Sequence, residues 1–157
     1  MKNFFNKRDN LFLILFISFA IIYVMLLGAY PLLEPDETRY VTMARDMFTS
    51  GNYLTLYLNG EYFFEKPPLF FWLESLSFWF FKDISEFTAR FPVVILSLLP
   101  LGLLFSLSEK VKNQKFAFLN SAILLTTLEY VLITKIAMLD SVLTSLVSSS
   151  VLCYFFT

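Results

Sequence analysis

The residues of this chain that could do chemistry are carboxylates and basic side chains, because histidine is absent (His 0) and the commonest general base goes with it. Asp36 and Glu37 stand together just past a long apolar run. A carboxylate there could orient an acceptor, act as a base or stabilise a cationic transition state. It could also do no more than favour a helix N-terminus, worth about 0.3–1 kcal/mol. Glu65-Lys66-Pro67-Pro68 is the second candidate. Two prolines after Lys66 stiffen the chain and hold its ammonium in one place, which suits a lipid phosphate or diphosphate; a lysine snorkelling to headgroups is the alternative. Asp140 is the third, at the start of the last apolar segment. Glu129 lies inside an apolar run, where a charge faces the protein interior or a cavity; Lys135 could pair with it, or it could line a site. Ser141, Ser145 and Ser148 or Ser149 make a small polar stripe suited to helix packing.

These residues sit in a chain built for a membrane. Hydrophobic residues make up 57% of the 157, and charged residues only 16%, against about a quarter in soluble domains. Mean hydropathy is +0.67. The net charge of −1 offers no basic surface for nucleic acid. The single cysteine, Cys153, lies in an apolar run and reads as a small hydrophobe; one cysteine allows no disulfide within the chain.

Four segments are long and apolar enough to span: 11–33, 91–107, 116–134 and 141–157, each near the 17–25 residues a crossing helix needs. The first is too long for a signal core of about 7–15 residues. The stretch 67–81 is shorter, opens with two prolines and carries Glu74. A charge at a lipid-facing helix centre costs at least ~2.5–3.5 kcal/mol, so this stretch reads as interfacial or re-entrant. Lys2, Lys7 and Arg8 place the N-terminus in the cytoplasm by the positive-inside rule. Residues 34–90 then form an extracytoplasmic loop, and Lys110, Lys112 and Lys115 return to the cytoplasm. Within the loop, Pro35 opens a helix that runs to Phe48, with Asp36 and Glu37 in its first turn. Its apolar face is Tyr40, Ala44, Met47 and Phe48, as in a helix lying along the membrane surface. Alternating residues 53–58, then Asn59-Gly60 and Tyr62-Phe63-Phe64, predict a small hairpin. The expected fold is therefore an all-α membrane protein, polytopic with about four transmembrane helices. Its outer loop holds interfacial helices and a hairpin. The last span stops at Thr157 with no flanking charge, which reads as a truncated chain.

The run Glu34-Pro35-Asp36-Glu37-Thr38-Arg39-Tyr40 resembles the signature of the aminoarabinose transferase branch of the GT-C glycosyltransferases, a group that includes the protein O-mannosyltransferases. Ala44-Arg45-Asp46-Met47, Ser50-Gly51-Asn52-Tyr53, Leu58-Asn59-Gly60 and Phe64-Glu65-Lys66-Pro67-Pro68 follow in the family's order. Arg90 fits the basic residue before the second helix, and Leu139-Asp140 resembles a later outer-loop Asp, with Ser141 where a proline often stands. The resemblance implies a multi-pass enzyme of the inner (plasma) membrane. It would take a sugar from a polyprenyl-phosphate donor to a lipid, glycan or protein acceptor on the extracytoplasmic face. It makes Asp36 the catalytic carboxylate, supported by Glu37, with Asp140 a second acidic contributor. It assigns the donor phosphate to Lys66, with Arg39 and Arg90, and gives Glu65 a position associated with a divalent metal. Family members are several hundred residues longer, so the competing reading is a non-catalytic membrane remnant that keeps the donor-site motifs.

The charge distribution generates a topology test. Single cysteines at positions 36 and 140 are expected to react with a membrane-impermeant thiol reagent from outside, and one at position 112 only from the cytoplasmic side. Labelling of 36 and 140 from opposite sides would separate the two carboxylates.

Overall fold

The computed structural model describes residues 17, 21, 24–33 and 35–156. Lys2, Lys7, Arg8, Glu34 and most of the expected first span lie outside the described residues. The first complete helix, α1, is Asp36–Ser50. Pro35 precedes it, and Gly51 ends it at φ 72°, donating its N–H to the Met47 carbonyl, the left-handed stop that glycine adopts without strain. The expected apolar face is present: Tyr40, Ala44 and Met47 are buried and Phe48 half-buried. That face is covered by protein, chiefly α2 and the hairpin.

A two-stranded antiparallel hairpin follows, β1 Leu56–Leu58 and β2 Glu61–Phe63, in register Leu56↔Phe63. Asn59 and Gly60 turn it at φ 53° and 86°, the pair of positive angles that a tight hairpin turn requires. Leu56 and Phe63 bury their side chains in the main core with α1.

Helix α2 is Leu69–Phe81, opening directly after the two prolines. Its inner face is Phe70, Phe71, Glu74, Ser75, Ser77 and Phe78; Leu69, Trp72, Leu76, Trp79 and Phe80 face outward. Ser75 Oγ donates to the Ala44 carbonyl of α1 at 3.3 Å, and Trp72 Nε1 to the Tyr53 carbonyl at 2.7 Å. Thirteen residues at 1.5 Å each reach about 20 Å, short of the ~30 Å hydrocarbon core. The interfacial reading of 67–81 thus accords with the length of α2.

Helix α3, Glu86–Val111, has 26 residues and is the helix among those described that is long and apolar enough to cross a membrane. Its first turn is capped by Thr88, whose Oγ1 accepts the Ser85 N–H at 2.9 Å. It packs against α2 and against the helical segments Gln114–Thr126 and Leu139–Tyr154. The expected single helix over 116–134 is divided into α4, Gln114–Thr126, and α5, Leu128–Ile133. Thr127 between them is extended, at φ −66° and ψ 117°. Both threonines at the break turn their hydroxyls back on the preceding turn, Thr126 to Ala122 O and Thr127 to Ile123 O, each at 2.8 Å. Such back-bonding weakens helix propagation. The last helix, α6, is Leu139–Tyr154. Its serine stripe does bury Ser141 and Ser145, and Ser145 and Ser149 each bond a carbonyl one turn back. The core joins Met43 and Ala44 of α1, Phe70, Phe71 and Phe78 of α2, Ala89 and Val93 of α3, Ala137, and Val142 of α6.

Candidate functional site

The centre of the site is an ion pair. Glu37, in the first turn of α1, and Arg90, in the first turns of α3, have side chains fully buried. Arg90 Nε donates to Glu37 Oε1 at 2.7 Å and Nη2 to Oε2 at 2.8 Å, the parallel geometry that a planar guanidinium makes best. Nη1 donates to the carbonyls of Leu27 (2.6 Å) and Tyr30 (2.9 Å), and Nη2 also to that of Pro31 (3.0 Å). All five N–H groups of the side chain are thereby engaged. The Tyr30 ring lies 4.0 Å from the guanidinium carbon. Glu37 is equally saturated: Oε1 also accepts the Ala137 N–H at 2.8 Å and Oε2 that of Leu33 at 2.7 Å. Burial alone would push the Glu37 carboxyl up. The hydrogen bonds from Arg90, Ala137 and Leu33, with the charge of Arg90, outweigh burial and hold it below the usual carboxylate range.

This geometry corrects two expectations. Arg90 has no N–H left for a donor phosphate and is sealed from solvent. Glu37 sits beside Asp36 in sequence, but its oxygens face the core and are fully occupied, so it does not touch a reacting group. What both do in this structure is hold backbone and each other in place. The pair ties the 27–33 segment, α1, α3 and the turn at Ala137 to one point. Asp36 adjoins Glu37, and Asp140 follows Ala137 by a few residues; both carboxylates are exposed in first turns of helices. Tyr30 Oη adds a second tie to that turn, donating to the Lys135 carbonyl at 3.1 Å.

The hairpin presents the remaining candidates. Glu65 is exposed, and Arg39 Nη2 lies 3.9 Å from its Oε2. Arg39 is half-buried, stacked 5.0 Å from the Phe63 ring, and its Nε has no hydrogen-bond partner. Lys66 is half-buried in the bend between β2 and α2, and no ion pair engages it among the described residues. No group of three or more His, Cys, Asp or Glu side chains gathers as a metal site among them either. Glu65 already faces a cation, so the described residues do not by themselves form a cage for the metal the resemblance implies. Glu129 is exposed on α5, in a groove that Ser145 and Ser148 also line. Local pattern gave no sign of the Glu37–Arg90 pairing. The available signal was an arginine with apolar neighbours at the head of a spanning helix, which must find a carboxylate elsewhere.

Residues 10–156 match the protein family described as dolichyl-phosphate-mannose-protein mannosyltransferase. Among curated relatives, the undecaprenyl phosphate-α-4-amino-4-deoxy-L-arabinose arabinosyl transferase of Wigglesworthia glossinidia brevipalpis is 32% identical over 95% of this chain and 27% of its own length. The enzyme of the same description from Yersinia enterocolitica is 30% identical over 92% of this chain and 26% of its own. The crystal structure of ArnT from Cupriavidus metallidurans bound to undecaprenyl phosphate superposes with a TM-score of 0.85 at 26% identity, over 91% of this chain and 26% of that one. The chain thus spans about a quarter of the length of these relatives.

The buried pair makes stability pH-dependent on the acid side. A carboxylate whose folded pKa is depressed contributes stability above its unfolded value, about 4.3, and loses it as pH falls through the folded pKa. Thermal unfolding of the reconstituted protein is expected to show that loss. Glu37→Gln, which strands the Arg90 charge, should lower stability at neutral pH by about 3–5 kcal/mol and flatten the acid decline. A neutral-pH loss below about 1 kcal/mol would remove the pair from its central role.

Proposed function

The chain belongs to the dolichyl-phosphate-mannose-protein mannosyltransferase family, and from that premise we propose that it carries the donor-binding face of a membrane glycosyltransferase. The donor is a sugar on a polyprenyl phosphate, and the reaction lies on the extracytoplasmic side. The reading of the donor as undecaprenyl-phosphate-linked 4-amino-4-deoxy-arabinose draws on the names of the relatives. The acceptor is a lipid, glycan or protein of the cell envelope, with lipid A the first to try.

The observation that carries this reading is the contrast between engaged and open charges. Glu37 and Arg90 are locked in the core, while Asp36 and Asp140 remain exposed on elements that the pair holds together and Lys66 is half-buried at the head of α2. Breaking the bond between the sugar's anomeric carbon and the phosphate oxygen develops positive charge on the sugar and negative charge on the leaving phosphate. A carboxylate stabilises the first and a cation the second. Lys66, with Arg39 at the neighbouring Glu65, takes the phosphate. Asp36 faces the sugar. With a hydroxyl acceptor Asp36 receives the proton as that oxygen attacks; with a phosphate acceptor, already ionised, it orients. Asp140 supplies a second carboxylate. The non-catalytic reading keeps the same donor contacts and differs only in lacking turnover.

Undecaprenyl phosphate titrated into the reconstituted protein tests the phosphate assignment. Lys66→Met removes the charge and keeps an unbranched side chain. Loss of a charge-assisted contact of about 1.5–3 kcal/mol should weaken binding roughly tenfold to a hundredfold. Asp36→Asn should leave that affinity nearly unchanged while abolishing single-turnover transfer in the complete enzyme. An unchanged affinity for Lys66→Met would return Lys66 to a membrane anchor.

A further inference from the structure

Glu74 has no role in that reading, and its surroundings are unusual. It lies midway along α2, on the face packed against α1, and is fully buried. Neither carboxyl oxygen has a hydrogen-bond partner. A buried carboxylate without donors or a cation is costly, and the group escapes that cost by keeping its proton. The cation on the adjoining helix cannot help, because every N–H of Arg90 is committed to Glu37 and to backbone carbonyls. From the elements packed on α2, the buried titratable groups are Glu37 and Tyr40 on α1 and Arg90 on α3; on α6, Asp140 is exposed. Burial first, and then the negative charge of Glu37, hold the Glu74 carboxyl well above the usual carboxylate range.

We propose that Glu74 is a proton-sensitive latch for α2: protonated, it lets the helix dock on α1, and on ionisation it drives the helix off. What else holds α2 in place is a set of hydrogen bonds and aromatic contacts, with Tyr40 and Phe48 of α1 edge-on to its phenylalanines and Phe81 edge-on to Phe87 and Phe91 of α3. Ser75 bonds Ala44 O, Ser77 bonds Thr88 O, Trp72 bonds Tyr53 O, and Phe71 and Phe78 fill the core between the helices. A charge generated among them has no solvent and no partner, so separating the helices is the available relief. Lys66 lies in the bend that leads into α2, so release of the helix also frees that ammonium from its fixed place. The direction is opposite to that of Glu37. A carboxyl whose folded pKa is raised keeps its full stability at acid pH. It loses stability as pH climbs from the unfolded value, about 4.3, toward the folded one. The two buried carboxyls thus bound a pH window, Glu37 from below and Glu74 from above.

The chain's two tryptophans are Trp72 and Trp79, both on α2, and release of the helix breaks the bond from Trp72 Nε1 to the Tyr53 carbonyl, so intrinsic tryptophan emission reports its docking. In the protein reconstituted into phosphatidylcholine vesicles, emission is followed from about pH 4 to about pH 10, below most of the lysine titration. The wild type should show one reversible transition with the steepness of a single proton. Glu74→Gln, which mimics the neutral acid, should show no such transition and the docked emission throughout. Glu74→Met provides the same readout should the glutamine variant fail to fold. The transition surviving in a folded Gln or Met variant, or no transition in the wild type, would overturn the latch.

Discussion

A guanidinium taken out of water must give each of its N–H groups a partner, and Arg90 can do so only where the 27–31 segment and Glu37 meet around it. Three carbonyls come from residues 27, 30 and 31, and the two carboxylate oxygens from Glu37. Glu37 in turn needs the N–H groups of Leu33 and Ala137. Removing either charge leaves the other buried and unpaired, which costs several kcal/mol. The pair therefore does more to specify an arrangement than to add stability. It fixes the entry to α1, the start of α3 and the turn before α6 relative to one another, over sequence separations of 53 and 100 residues.

What the pair leaves free follows from its position. The first turn of α1 divides its two acids between opposite environments: Glu37 inward with every lone pair occupied, Asp36 outward. The hairpin and the two prolines then deliver Glu65 and Lys66 to the head of α2, while Trp72 and Ser75 bind α2 back to the loop and to α1. Charged groups left open on elements whose own polar groups are satisfied are what the proposed charge-stabilising site requires. Glu74 departs from that order, since it is buried without partners beside the saturated pair.

Much of this was legible in the sequence wherever a local rule decides the outcome. Pro35 and the spacing of Tyr40, Ala44 and Met47 located α1. Asn59-Gly60 fixed the hairpin turn, and the apolar run before Lys110 located α3. The 116–134 segment was misread because hydropathy is blind to the two threonines at 126 and 127, whose hydroxyls compete with the helix ladder. The apolar face of α1 was recognised, yet its environment was not: spacing cannot tell a helix lying on lipid from one covered by α2. Arg90 and Glu37 were assigned to chemistry on motif position. Their mutual pairing depends on a long-range contact that no periodicity encodes, and only the closure of the fold makes both inaccessible.

The central claim is that the Glu37–Arg90 pair holds the Asp36 and Asp140 segments in a fixed relation. Spin labels at positions 36 and 140 in the reconstituted protein, with the distance read by pulsed dipolar spectroscopy, test it most directly. With Arg90 present the account predicts one narrow distance distribution, and with Arg90→Met a broadened and lengthened one in a protein that retains its helices. The same narrow distribution with and without Arg90 would contradict it.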